Sequence, residues 1–229
     1  MKKAQALITS IAFSKFFLFL MAILFCLPAA TSFAKKTVPV LDEGEVLHLT
    51  FMREEEKLAR DVYLTLGEIY PGVNSFMAID DSEQRHFDTM GKMLDKYGID
   101  DPSTDTSVGA FTGEDFGWYF SEKFDALVDR GKTSLLEALY VGAFIEELDM
   151  NDIVHCPDVI VETENGVGED ECGLNYTDES PLVTSYNNLL EGSKDHLRAY
   201  VKAIEAQIGA GNYVAQVLTQ EEVDLILNR

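Results

Sequence analysis

The chain has 229 residues, 46% of them apolar or aromatic, with 18 Lys and Arg against 40 Asp and Glu and a formal net charge of −22. That length suits one domain or two small ones, and the apolar share excludes wholesale disorder. The acidity excludes a nucleic-acid partner, whose phosphate backbone needs a basic surface, and makes cations the natural guests.

Lys2 and Lys3 precede an unbroken apolar run from Phe16 to Leu27, and Ser32-Phe33-Ala34 sets small residues at the two positions a signal peptidase reads. The run is shorter than the roughly 20 residues a bilayer span takes. Residues 1–34 are therefore expected to be a cleaved export signal. Bulky Phe25 before Cys26 argues against a lipoprotein. Residues 35–229 are expected to form one exported domain, periplasmic or secreted, with no membrane anchor after cleavage. Removing Lys2, Lys3 and Lys15 and no acid leaves that domain a net charge of −25.

Beyond the signal, apolar residues recur at three- and four-residue spacing in four long segments, the seams of helices packed in a bundle. The first, Glu43 to Tyr70, has the seam Leu49, Met52, Glu56, Ala59, Tyr63, Leu66, Tyr70, with one glutamate in it. Glu54 falls with Lys57, Asp61 and Glu68 on a face expected to be solvated, Glu55 at the edge, and Glu56 inward. His48 is expected at the surface. After Pro71-Gly72 the second segment, Asn74 to Tyr97, reads Phe76, Ile79, Glu83, His86, Met90, Met93, Tyr97. Glu83 and His86, three apart, project the same way from consecutive turns.

A loop rich in Asp, Ser, Thr and Gly runs from Gly98 to Gly113, and Trp118, Phe120, Phe124 and Leu127 suggest a short extra helix packed on the bundle. The third long segment, Thr133 to Val154, has the seam Leu135, Leu139, Gly142, Glu146, Asp149, Ile153. A neighbouring stripe through Leu136, Tyr140, Ala143, Glu147, Met150 and Val154 competes with it. The first is preferred because Gly142 leaves room beside the carboxylates, and Glu147 is kept in reserve. His155 is expected at the surface.

An acidic connection without Lys or Arg runs from Asn151 to Ser193 and includes Asn165-Gly166, a candidate hairpin turn. Cys156 and Cys172, in a protein bound for an oxidising compartment, are expected to form one disulfide that contributes about 3 kcal/mol. The connection lacks the spaced ligands of a calcium loop. The fourth segment, Pro181 to Ile208, reads Leu182, Tyr186, Leu189, Ser193, His196, Tyr200, Ala203, Gln207, broken again by two polar residues three apart. Tyr63, Tyr140, Tyr186 and Tyr200 read as core packing.

Each of the four seams is thus interrupted near its middle. Buried carboxylates cost several kcal/mol unless paired and would repel one another, and a multivalent cation among them compensates both costs. Glu56, Glu83, His86, Glu146, Asp149 and His196 supply oxygen and nitrogen donors that suit iron or manganese better than zinc, the inventory of a two-metal carboxylate site in a helical bundle.

The stretch Glu56-Lys57-Leu58-Ala59-Arg60 with Tyr63, followed by Ser82-Glu83-Gln84-Arg85-His86, resembles the ferritin-like superfamily, its rubrerythrin-type members in particular. The run from Met52 to Tyr63, together with Tyr97-Gly98-Ile99-Asp100-Asp101-Pro102, Gly142 to Asp149 and Gly192 to Leu197, resembles the DUF2202 group of that superfamily over about residues 45–227. The resemblance implies an all-α, ferritin-like four-helix bundle and a dinuclear site carried by Glu56, Glu83, His86, Glu146 and His196. In one departure, Ser193 stands where the superfamily's second Glu-x-x-His has its glutamate, and Asp149 is the candidate replacement. Arg60 and Arg85 are candidate supports for the ligands.

Two irons, or manganese, would make the protein a metal-dependent oxidoreductase of ferroxidase or peroxidase type, with ferrous iron, peroxide or a small organic molecule as substrate. Lacking rubredoxin-like cysteine pairs, it would need an external electron donor. The alternatives are a metal-binding or sequestering module without turnover and a metal-free envelope interaction domain. Nothing in the sequence marks a cage-forming surface.

Overall fold

A computed structural model describes residues 39–229 apart from 164 and 165, and the described residues are helical without strands. The expected export signal and Asn165 of the candidate hairpin turn lie outside them. The helices are α1 (Glu43–Ile69), α2 (Asn74–Tyr97), α3 (Gly117–Gly131), α4 (Leu135–Val154), α5 (Asp158–Glu162), α6 (Ser180–Ile208) and α7 (Gln220–Ile226). The four long segments read from the sequence coincide with α1, α2, α4 and α6 to within two residues at either end. The extra aromatic stretch is α3.

Local chemistry explains these boundaries. At the start of α1 the Asp42 side chain accepts from the Glu45 amide at 2.9 Å, and Glu45 accepts in return from the Asp42 amide at 3.1 Å, a reciprocal cap. Ser134 caps α4 one way only, its hydroxyl accepting from the Glu137 amide at 3.1 Å. Gly98 ends α2 in the left-handed region at φ 71°, which costs a glycine little.

Apolar stripes then fix the packing. α1 lies along α2 and α4 along α6, the pairs meet where α2 touches α6 and α1 touches α4, and α3 rests on α1 and α4. Phe51 of α1 meets Phe116 and Phe120 at centroid distances of 5.4 and 4.9 Å, and Tyr63 meets Tyr200 at 5.4 Å.

Of the α1 face expected to be solvated, Glu68 is exposed but the rest is buried: Glu54, Lys57 and Asp61 are each 0% exposed. The segment between α2 and α3 folds back over it. Lys57 Nζ donates to Asp61 Oδ2 at 2.5 Å and to the Ser107 carbonyl at 2.8 Å, and the Gly109 amide donates to the same Asp61 oxygen at 2.9 Å. Arg60 reaches Asp61 and the Thr106 carbonyl, and Glu54 accepts from the Gly113 amide. Burying Lys57, Arg60 and Asp61 is tolerated because each acquires several hydrogen bonds at once, whereas Glu54 keeps Oε2 without a hydrogen-bond partner and burial raises it to about 7.

His48 is likewise 1% exposed. Its Nε2 lies 2.8 Å from the Asp152 carbonyl, which can only accept, so Nε2 carries the proton and Nδ1 accepts from the Tyr186 hydroxyl at 2.9 Å. Burial, offset in part by backbone hydrogen bonds, lowers this histidine to about 4. His155 is exposed, as expected.

The Cys156–Cys172 disulfide is formed and closes the acidic connection after α4. The Leu174 and Asn175 amides then donate to the Ile153 and Val154 carbonyls, tying that loop to the helix end. Among the described residues, no helix is long and apolar enough to cross a membrane.

Candidate metal centre

Glu56 from α1, Glu83 and His86 from α2, Glu146 from α4 and His196 from α6 converge at one place in the interior. Glu83 lies between the two imidazoles, with Oε2 2.9 Å from His86 Nδ1 and Oε1 2.7 Å from His196 Nδ1. Glu56 Oε2 flanks His86 Nδ1 at 3.4 Å, and Glu146 Oε2 flanks His196 Nδ1 at 3.4 Å. Two sets of candidate ligands result, Glu56 with Glu83 and His86, and Glu83 with Glu146 and His196. Within each set the ligand atoms lie within 4.8 Å of one another, and Glu83 belongs to both.

Burial opposes every charge in this cluster. It acts to lower the two imidazoles, yet Glu56 and Glu83 outweigh it at His86, and Glu146 and Glu83 at His196, raising them to about 12 and about 10. Burial raises Glu56 to about 7 and lifts Glu146 above the usual carboxylate range. At Glu83 the imidazoles overcome the same burial and hold the group at about 2. The cluster therefore stabilises positive charge held among three carboxylates.

Its hydrogen bonding is incomplete. Glu56 Oε1, Glu83 Oε1, Asp149 Oδ1 and His196 Nδ1 are buried without a hydrogen-bond partner. Glu83 Oε1 and His196 Nδ1 are close but misaligned for a hydrogen bond. Unsatisfied buried polar atoms are rare because each costs about 1–3 kcal/mol. Oxygen and imidazole nitrogen donors gathered in this way fit iron or manganese.

The surroundings orient the ligands. Tyr63 Oη donates to Glu146 Oε1 at 2.6 Å and lies 3.3 Å from the Gly142 carbonyl. The space at Gly142 is taken by the Tyr200 ring and not left beside the carboxylates as expected: a Cβ there would sit 2.3 Å from Tyr200 Cε1. Gly192 on α6 serves His86 similarly, since a Cβ would lie 2.6 Å from its Cε1. The His86 and His196 side chains are 13% and 11% exposed, against 1–3% for Glu56, Glu83 and Glu146, so solvent meets the cluster at its imidazole edge.

The remaining candidates lie apart from the two ligand sets. Asp149 is buried and accepts from the Ser193 hydroxyl through Oδ2. Glu147 turns away from the centre. Its Oε2 accepts from the amides of Gln216, Val217 and Leu218 at 2.8, 2.7 and 3.0 Å, and its Oε1 from the Tyr213 hydroxyl at 2.6 Å. It anchors the tail. Arg60 reaches Gln84 and Asp61, and Arg85 is exposed, so neither has a hydrogen bond to the five converging residues.

The family model described as "Uncharacterized protein domain (DUF2202)" matches residues 45–229. The chain belongs to the DUF2202 family. Among relatives, "Uncharacterized protein MJ0754" of Methanocaldococcus jannaschii is 37% identical over 188 residues, covering 82% of this chain and 89% of the relative. The crystal structure of hypothetical protein MJ0754 from Methanococcus jannaschii DSM 2661 is similar with a TM-score of 0.68 and 35% identity, covering 84% of this chain and 98% of that one. The DUF2202 match takes in all five converging residues as well as Asp149 and Ser193.

Proposed function

We propose that this DUF2202 protein is an exported, ferritin-like bundle of α1, α2, α4 and α6 whose centre holds two iron ions, with manganese as the alternative. We read it as a metal-dependent oxidoreductase acting on dioxygen, peroxide or ferrous iron. The observation that carries this reading is Glu83, one buried carboxylate facing two imidazoles, with a second carboxylate flanking each. The ligands would be Glu56 and His86 for one ion, Glu146 and His196 for the other, and Glu83 for both. A bound pair of such ions supplies one-electron redox chemistry and polarises an oxygen ligand.

The chain's own part is positional. Tyr63 fixes the rotamer of Glu146 through its hydrogen bond, and Gly192 lets α6 close against the His86 ring. Burial keeps bulk water from the carboxylates, and the more exposed imidazole edge is where a small reactant arrives. Electrons come from an external donor.

The test is the metal content of the wild-type protein beside Glu83→Ala and His86→Ala. This reading expects metal in the wild type and a loss in both variants. Equal, near-zero metal in all three overturns it. Oxygen or peroxide consumption by the iron-loaded protein then separates an oxidoreductase from a sequestering module.

A further inference from the structure

The α2 element Glu83-Gln84-Arg85-His86 has a counterpart on α6 in Ser193-Lys194-Asp195-His196. Helix α6 therefore brings an imidazole, but a hydroxyl where α2 brings a carboxylate. That hydroxyl donates to Asp149 Oδ2 across the α4–α6 seam. Ser193 and Asp149 are 1% and 5% exposed, and Asp149 Oδ1 has no hydrogen-bond partner. Asp149 stands one turn beyond Glu146 on α4, and Glu56, Glu146 and Glu83 are all near enough for their charges to act on it. A buried carboxylate oxygen with no partner, beside three other carboxylates, requires either a proton or a cation.

Resting on the metal-centre reading above, we infer that Asp149 Oδ1 is a further metal ligand, and that Ser193 is the positioning residue that holds Oδ2 and turns Oδ1 toward the centre. The carboxylate that α6 lacks is supplied from α4, and the serine is the other half of that exchange. A rival account makes Asp149 a neutral acid that only hydrogen-bonds Ser193. The two accounts diverge on Asp149→Asn, which mimics the neutral acid but is a poor ligand for a hard cation.

The experiment loads the full chain with manganese(II), measures affinity and stoichiometry, and records the electron paramagnetic resonance spectrum, with a melting temperature for each variant. Asp149→Asn is expected to weaken the less tightly held ion by about tenfold or more and to change the spectrum of the pair. Ser193→Ala is expected to move both in the same direction by less, with recovery in Ser193→Thr, which keeps the hydroxyl. The double variant D149S/S193E, which returns the carboxylate to α6, is expected to regain the ion that Asp149→Asn loses. Wild-type affinity and spectrum in Asp149→Asn, while Glu83→Ala loses manganese, would overturn the assignment of Asp149 and leave the centre standing. A wild-type protein that takes up no manganese would overturn both.

Discussion

The Tyr63 hydroxyl donates a 2.6 Å hydrogen bond to the Glu146 carboxylate, with both groups buried. This oxygen of Glu146 is distinct from the one that faces His196, so the tyrosine steers the carboxylate without occupying its ligand atom. Tyr63→Phe keeps the ring that packs on Tyr200 and removes only the donor. The expected outcome is an unchanged fold, with metal affinity reduced about tenfold, in the range for loss of a ligand's hydrogen-bonding support. Metal titration beside circular dichroism checks it.

Because Glu83 belongs to both ligand sets while Glu56 and Glu146 each belong to one, the three glutamates are not equivalent. Glu83→Ala is expected to weaken both ions. Glu56→Ala and Glu146→Ala are each expected to weaken one ion severely and leave the other measurable. Stoichiometry by elemental analysis after dialysis reads the difference, and equal losses in all three variants would contradict a shared Glu83.

His48 sets an acid limit on stability. Its folded value of about 4 lies below the 6.5 of an unperturbed imidazole, so between those values the unfolded chain binds a proton that the native one refuses. Stability therefore falls as pH drops through that window, by about 3 kcal/mol for this residue, and the effect is absent above pH 6.5. Urea unfolding at pH 7, 5.5 and 4.5 for the wild type and His48→Gln is expected to show a shallower decline in the variant, because the many carboxylates titrate equally in both.

Glu147 accepts three backbone amides and a phenol, and all four bonds are lost with the carboxylate. Glu147→Ala should cost about 3 kcal/mol or more. The loss should be local first, with amide exchange accelerated at residues 213–218 before the rest of the chain. Uniform exchange across the protein would contradict this.

Helix boundaries were legible wherever a stripe, a cap and a breaker agreed, as for α2, which starts after Pro71-Gly72 and ends at Gly98. The convergence of Glu56, Glu83, His86, Glu146 and His196 was legible because a polar residue in an apolar seam must point where the seam points. The burial of Glu54, Lys57 and Asp61 was not. Their neighbours in sequence are polar, and the loop that roofs them is some 50 residues away along the chain. The burial of His48 is hidden from the sequence for a related reason, since both its partners are on distant helices.

The contest between the Glu146 and Glu147 stripes arose because α4 is enclosed on several sides, by α1, α3, α6 and the tail, so more than one of its faces is apolar. Helix α7 is too short to show an apolar stripe, but Thr219-Gln220-Glu221-Glu222 carries the signature of a reciprocal cap, which the structure forms.

Glu146 and Glu147 are neighbours on one helix, turned about 100° from each other by helical geometry alone. With Glu147 pinned by the C-terminal strap, α4 has a restraint on rolling about its axis in addition to its helix packing, and Glu146 is aimed by the same restraint. The last stretch of the chain thus works as an indexing pin. Cutting it away is expected to loosen that restraint and blur the aim of Glu146.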